Sequence, residues 1–325
     1  MTGRRSVWSD PRLIQLTKQF VPAADEVWRL QQGSDPECVF FQRMAERGHY
    51  GGRPGQTRQG IYVCSANGTF LASINSNNPD RVLDTLERGL KAWEKLPADE
   101  KKLAPLSEIK PRHRWEDSFP KGGLVLSMIT RDLPADCDPS KPCATRWNQD
   151  RVWFSKGEAR QWLPQEPKQG DKHPVPLELV SRVARLHLVD TVNGQSSPFT
   201  PGQVTGSQIA TEVLERKGGR VKIKITGTTN GDATQGRGRR ESAHGVETCI
   251  LGHATYDLGT EAFVEFQMVA LGKRWGYTEL NSRRRDTESG PLGFVFELTR
   301  ADAPPIAPAF IRAYDVPWVS RPENR

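Results

Sequence analysis

The apolar positions of this chain keep a helical spacing through the first hundred residues and switch to strict alternation after residue 207. Asp10 before Pro11 predicts a helix start, because the carboxylate accepts from free backbone N–H groups and proline has none to leave unpaired. Leu13, Ile14, Leu16 and Phe20 then give that helix one apolar face. Phe20–Leu30 reads as a strand, buried over its first half. Ser34-Asp-Pro-Glu37 reads as a capping box opening a second helix. That helix turns Val39, Phe40 and Met44 inward and stops at Gly48, a favoured left-handed residue. Ile61–Ala66 and Thr69–Asn75 flank Asn67-Gly68, the dipeptide suited to a two-residue hairpin turn. Asn78 and Pro79 open a third helix carrying Val82, Leu83, Leu86, Leu90, Trp93 and Leu96 at the 3.6 period, ended by Pro97.

The charged, proline-bearing stretch after Pro97 reads as a linker. Beyond it, Gly123–Thr130 predicts a buried strand and Asp150–Phe154 a short one. Ser155-Lys-Gly-Glu158 is a second capping box, opening a helix through Trp162. Pro176 begins another helix with Leu177, Val180 and Val183 inward, running into extended Leu186–Val192. From residue 207 the pattern is that of antiparallel strands. Gln208–Arg216 and Arg220–Thr228 flank Gly218-Gly219, and Val221, Ile223 and Ile225 alternate with Lys222, Lys224 and Thr226. Val246, Ile250, Ala254 and Tyr256 share one side of the next strand. Val264, Phe266 and Met268 do so on the one after, and Leu292, Phe294, Phe296 and Leu298 close the series. Such a meander is expected to curl into a barrel or half-barrel, which removes edges that invite aggregation. The tail, with Pro304, Pro305, Pro308 and Pro317, is expected to lie across the surface.

The order helix, strand, helix, hairpin, helix, with FVPAADEVW and GIYVCSANGTFLASI in these places, resembles the thioredoxin superfamily over Val7 to Leu96. The whole chain is similar to uncharacterised bacterial proteins described only as thioredoxin-like. The resemblance implies a thioredoxin-type fold, but its dithiol motif is missing. Where the family carries Cys-x-x-Cys at a helix start, this chain reads Ser9-Asp10-Pro11-Arg12. Where the family carries a proline before the hairpin, Gly55 to Gln59 has none. The expected class is therefore α/β plus all-β: a degenerate thioredoxin-like domain followed by an antiparallel β-meander domain. The expected boundaries are 1–97 for the first domain, 98–122 for a linker, 123–303 for the β-rich domain with two short helices, and 304–325 for the proline-rich tail.

Composition narrows the classes. Hydrophobic residues at 36% and charged residues at 26% of 325 are those of a folded globular chain. No apolar run reaches membrane-spanning length, and MTGRRSVWSDPRL lacks a signal-peptide core. A cytoplasmic location is the default expectation, a removed leader being the alternative. The formal charge of +7 permits an anionic partner without requiring one.

Candidate chemistry is sparse. The loop Gly48-His-Tyr-Gly-Gly-Arg53 precedes the hairpin, and His49, Tyr50, Arg53 and Arg58 form the first candidate ligand site, suited to a small anion; the bland reading is a glycine-rich connector. Cys38 sits in a first helical turn, where the dipole lowers a thiol pKa, or it is simply a small packed residue. Cys137 and Cys143, six apart in a turn-rich loop, are free thiols, a disulfide or part of a metal shell. Five cysteines at irregular spacing do not read as a disulfide framework. No metal motif appears: His187 and Asp190, three apart on an extended segment, face opposite ways, and His253 shares a face with Cys249 and Leu251. Arg237-Gly-Arg-Arg240 and Arg283-Arg-Arg285 have acids beside them and read as solvated loops. The leading reading is a binding or scaffolding protein without redox chemistry or cofactor, engaging a protein or a small anionic ligand. The rivals are a thiol-dependent or otherwise unrecognised enzyme using Cys38, Cys137 or Cys143, and a nucleic-acid-contacting protein. The oligomeric state is not legible in the sequence.

Overall fold

The computed structural model describes residues 7–8, 10–53, 57–76, 78–103, 114–133, 147–193, 195–234 and 241–320. The chain divides into two compact units, residues 2–113 and 114–321.

In the first unit Asp10 caps α1 (Pro11–Thr17) by accepting from the Arg12 N–H at 2.9 Å. The stretch expected as a strand from Phe20 to Leu30 is instead extended chain followed by a helix, α2 (Val27–Gln32). Among the described residues no strand pairs with it, and Val21 is almost fully exposed. The ion pair from Arg29 back to Asp25, one helical turn away, favours the helix at this point. The second capping residue is Asp35 rather than Ser34: it accepts from Cys38 N–H at 3.0 Å and opens α3 (Pro36–Arg47). Met44 is buried there, but Phe40 is exposed. Gly48 is extended rather than left-handed; glycine is needed because a Cβ would meet Ser73 Oγ at 2.5 Å.

The hairpin joins β1 (Ile61–Cys64) to β2 (Phe70–Ile74). Its turn is wider than the two residues expected. Ser65 N–H bonds Thr69 O at 2.9 Å, and Gly68 takes φ +89° in the left-handed position of a bulged three-residue loop. Asn78 caps α4 (Pro79–Glu94), accepting from Arg81 N–H at 3.1 Å. Val82 and Leu86 of α4 pack against Val7, Leu13, Val63 and Ala72 to form this unit's core. Among the described residues the unit's sheet is the hairpin alone.

The second unit is built on an eight-stranded antiparallel sheet of order β4-β3-β10-β9-β8-β7-β6-β5. Its strands are β3 (Leu124–Asp132), β4 (Trp147–Phe154), β5 (Lys172–Pro174), β6 (Gln208–Lys217), β7 (Arg220–Ala233), β8 (His244–Asp257), β9 (Ala262–Trp275) and β10 (Gly290–Leu298). β6 to β10 run as a meander, and the β3–β4 hairpin returns to pair with the last strand. Gly218 and Gly219, at φ +58° and +78°, make the tight β6–β7 turn. The sheet is open: β4 and β5 stand at opposite ends, so the closed barrel among the expected forms is not what this chain makes. β5 is three residues long and ends at Pro174, which has no N–H to offer a further strand.

One face of the sheet carries the main core. Val221, Ile223, Ile225, Phe294 and Phe296 are fully buried there, covered by Trp162 after α5 (Lys156–Arg160) and by α6 (Leu177–Arg182). The Ser155–Glu158 capping box closes reciprocally at the start of α5. Trp162 meets Phe154 and Phe266 edge-on, with ring centres 5.7 and 5.6 Å apart. Two expected inward residues point out. Val264 is the extra residue of a bulge at Thr255/Tyr256, so Phe263 takes the buried place. Leu177, at the first turn of α6, is 70% exposed. α6 continues into a π-helical turn, Val183–His187, rather than extended chain.

The tail is not a surface strap. Ile311, Tyr314 and Val319 are buried with Trp153 and Leu186 in a second core beside strand β4.

Replacing Ile223 with Ala should cost about 2–5 kcal/mol in urea unfolding, because buried methyl groups leave a cavity. Lys224→Ala should cost under about 1 kcal/mol, since that side chain stands on the opposite face. A larger loss at Lys224 would reverse the assignment of faces.

Candidate functional site

The loop before the hairpin spends its polar groups on itself. His49 stacks on Tyr62 at 5.1 Å, and its Nε2 bonds Gln59 O at 3.1 Å. Arg58 donates from Nη1 to Gln31 O at 2.7 Å, pairs with Glu46 and lies over the buried Tyr50 ring at 5.2 Å. Arg53 is exposed and does not join them. His49, Tyr50 and Arg58 gather around Tyr62, whose hydroxyl donates to Arg58 O at 2.7 Å. Their part is to fasten the loop to α2 and the hairpin.

Cys38 is buried. Burial and the hydrogen bond to Asp35 (Sγ to Oδ2 3.1 Å) push its thiol up to about 11, against the pull of Arg29. Arg29 is itself claimed by Asp25, Asp35 and Glu37. The helix start therefore does not produce a thiolate here, because the capping carboxylate reaches the sulfur first. Cys137, Cys143 and the Arg237–Arg240 cluster lie outside the described residues.

Folding assembles a group that sequence distance conceals. Asp150 on β4, His187 at the end of the π turn and Tyr314 in the tail meet in the second core. The Tyr314 hydroxyl accepts from Trp153 N–H at 3.3 Å and shares a hydrogen bond of 2.7 Å with His187 Nε2. The other ring nitrogen, Nδ1, lies 3.9 Å from Asp150 Oδ2. Asp150 Oδ1 accepts from Ala309 N–H at 2.9 Å, a second tie between tail and sheet edge. Burial, reinforced by the Arg182 charge, lowers His187 to about 3. Burial raises Asp150 to about 6, opposed by N–H bonds from Ala309 and Arg151. The Arg182 guanidinium lies 4.9 Å over the Tyr314 ring and is held by both oxygens of Glu158. An acid, a base and a phenol in line have the parts of a proton relay. Here, with His187 at 0% and Tyr314 at 2% exposure, they clamp the tail onto strand β4.

Asp190, three residues on from His187, serves another cluster. Arg283 is fully buried and bonds Asp190, Asp132 and Asp286 together. The solvated-loop reading of Arg283–Arg285 thus fails at Arg283, whose charge ties the β9–β10 connection to the end of β3. Among the described residues no three His, Cys, Asp or Glu side chains are arranged to hold a metal ion. No described helix is long and apolar enough to cross a membrane.

The outer face of the sheet offers a different surface. Register places Leu251, Val269, Val295 and Ile129 side by side on β8, β9, β10 and β3. They form one aliphatic row, with exposures of 54, 36, 38 and 38%. Leu271 and Cys249, the next outward residues, widen it and are exposed too. On the other side a polar row follows the same pairing: Lys224, His253, Gln267, Glu297, Ser127 and Arg151. An open cleft of about 580 Å³ lies beside it, walled by outward side chains that include Leu214, Lys222, His253 and Glu297. Reading one strand alone puts Leu251 and His253 outward. The companions of Leu251 were hidden in runs such as MVAL and FVF, where both faces are apolar and alternation gives no sign of which is wet.

These features define an open antiparallel sheet with one face packed and one face partly aliphatic. No protein-family model, no curated protein and no solved structure matches the chain.

Proposed function

We propose that this chain is a binding protein without redox chemistry, docking another protein on the outer face of its eight-stranded sheet. In this reading the first unit is a thioredoxin-like module that has lost its dithiol chemistry. The observation that carries the proposal is the aliphatic row Leu251–Val269–Val295–Ile129, exposed across four adjacent strands. Contiguous exposed apolar surface rimmed by polar residues is costly to leave in water and marks interaction sites. The enzyme alternative loses support at Cys38, whose thiol stays protonated near neutral pH, and at His187, which is sealed.

A photo-crosslinking amino acid in place of Cys249, in the full chain expressed in cells, tests the surface. It should give protein adducts that are absent when the same residue replaces the exposed Gln169, and that vanish with Val269→Glu. Adducts of equal yield from both positions, or none from position 249, would overturn the proposal.

A further inference from the structure

We infer that the partner on this face is a second copy of the same chain, the two sheets packing outer face to outer face. The inference rests on the proposed docking role of that face and names its occupant. Three observations point to self-association.

The first is charge. The chain carries a formal +7, so two copies repel unless they meet where the local charge is close to zero. Around the row stand Lys172, Lys222, Lys224, Lys273, Arg131 and Arg151. Against them stand Glu212, Glu215, Glu247, Glu265 and Glu297. The two sets differ by a single charge, and some are already paired on the face, Lys273 with Glu247 at 2.9 Å and Lys222 with Glu215 at 3.6 Å. An acidic protein or a nucleic acid would find little surplus of positive charge here. A second such face meets little net repulsion.

The second is extent. Six strands at about 4.8 Å spacing and about seven residues at about 3.4 Å rise give a face roughly 30 Å by 25 Å. A face of that extent is large enough to bury the ~800 Å² per partner of an interface of standard size.

The third is pattern. A two-fold contact uses the same patch on both copies. An uncharged aliphatic row through the middle of the face can meet its own copy without opposing like charges. Sheets packed face to face then interdigitate such rows at about 10 Å separation.

Sedimentation velocity on the purified full chain tests this directly, with wild type, Val269→Glu and Leu251→Lys compared over a concentration series. Both substituted positions are solvent-exposed, and far-UV circular dichroism with thermal melting checks that each variant folds. Wild type should sediment as a dimer, and each variant should dissociate at least about tenfold more readily, because a new charge would be buried unpaired. In wild type the Cys249 thiol should become protected from alkylation as concentration rises, read by mass spectrometry of its own peptide. A wild-type monomer up to ~100 µM overturns the inference, as does a dimer that both variants leave intact. If the purified chain is monomeric while position 249 still crosslinks a different protein in cells, self-association falls and the docking role stands. If neither is seen, both fall.

Discussion

Arg283→Met should lower the stability of the β-rich unit by about 3–5 kcal/mol or more, the cost of removing one partner from a buried ion-pair network. The guanidinium donates from Nε and Nη2 to Asp190 at 2.9 and 3.1 Å. From Nη1 and Nη2 it reaches Asp132 at 3.0 and 2.6 Å, and Nη1 also reaches Asp286 at 2.7 Å. Arg274 remains to hold Asp286 at 2.8 Å, but among the described residues no second cation pairs with Asp190. A loss of this size is a large part of the 5–15 kcal/mol by which domains are usually stable. Urea unfolding followed by tryptophan fluorescence measures it. The loss should shrink on acidification, since Arg274 and Arg283 hold the Asp286 carboxyl below its usual range against burial, and once protonated it no longer needs a cation; a pure packing defect would not change with pH. Arg283→Lys should be intermediate, because an ammonium cannot span three carboxylates from one planar fork. A loss below about 1 kcal/mol in the Met variant would show that the network adds no net stability.

The second expected result concerns the pair Asp150 and His187. A lowered histidine pKa means that stability is lost as pH falls from about 6.5, the unfolded value, toward about 3. A raised carboxyl pKa means that stability is lost as pH rises from about 3.8 toward about 6. Between about pH 4 and 6 the two slopes oppose one another. The unfolded pair holds one proton there, on the histidine, and the folded pair also holds one, between Asp150 and His187. The wild-type contribution of the pair is therefore nearly flat, and either single substitution exposes the other group. Asp150→Asn should make the protein acid-sensitive, losing about 2 kcal/mol relative to wild type between pH 6.5 and 4.5. His187→Gln, whose side-chain amide can still bond the Tyr314 hydroxyl, should do the reverse, losing about 2 kcal/mol as pH rises from 4 to 6. Urea midpoints across this range, each referred to wild type at the same pH, give the answer. Parallel curves for all three proteins would mean that the imidazole is not held neutral in the folded state.

The two clusters differ in how far the sequence showed them. Asp286 was visible as an acid beside the Arg283–Arg285 run. The partners that bury Arg283, Asp132 and Asp190, lie 151 and 93 residues away along the chain. Asp150, His187 and Tyr314 are brought together only because the tail folds back against strand β4. In the candidate loop the residue types were suited to an anion, yet backbone carbonyls at Gln31 and Gln59 claimed Arg58 and His49. Local composition cannot show where a side chain's partner will come from.

By itself the sequence determined what depends on neighbours in the chain. Asp10, Asn78 and Ser155 cap their helices because a short polar side chain there reaches the next free N–H groups. Alternation set which face of β7 is buried, and Gly218-Gly219 set the turn before it. The tertiary structure decided what depends on distant pairing. It made Val27–Gln32 a helix where no partner strand was at hand, and it turned Val264 outward through a bulge. It left the sheet open, because β3 pairs with β10 and the two end strands never meet. It also assembled the aliphatic row, one residue from each of four strands, since register between strands is fixed by the whole sheet and by no strand alone.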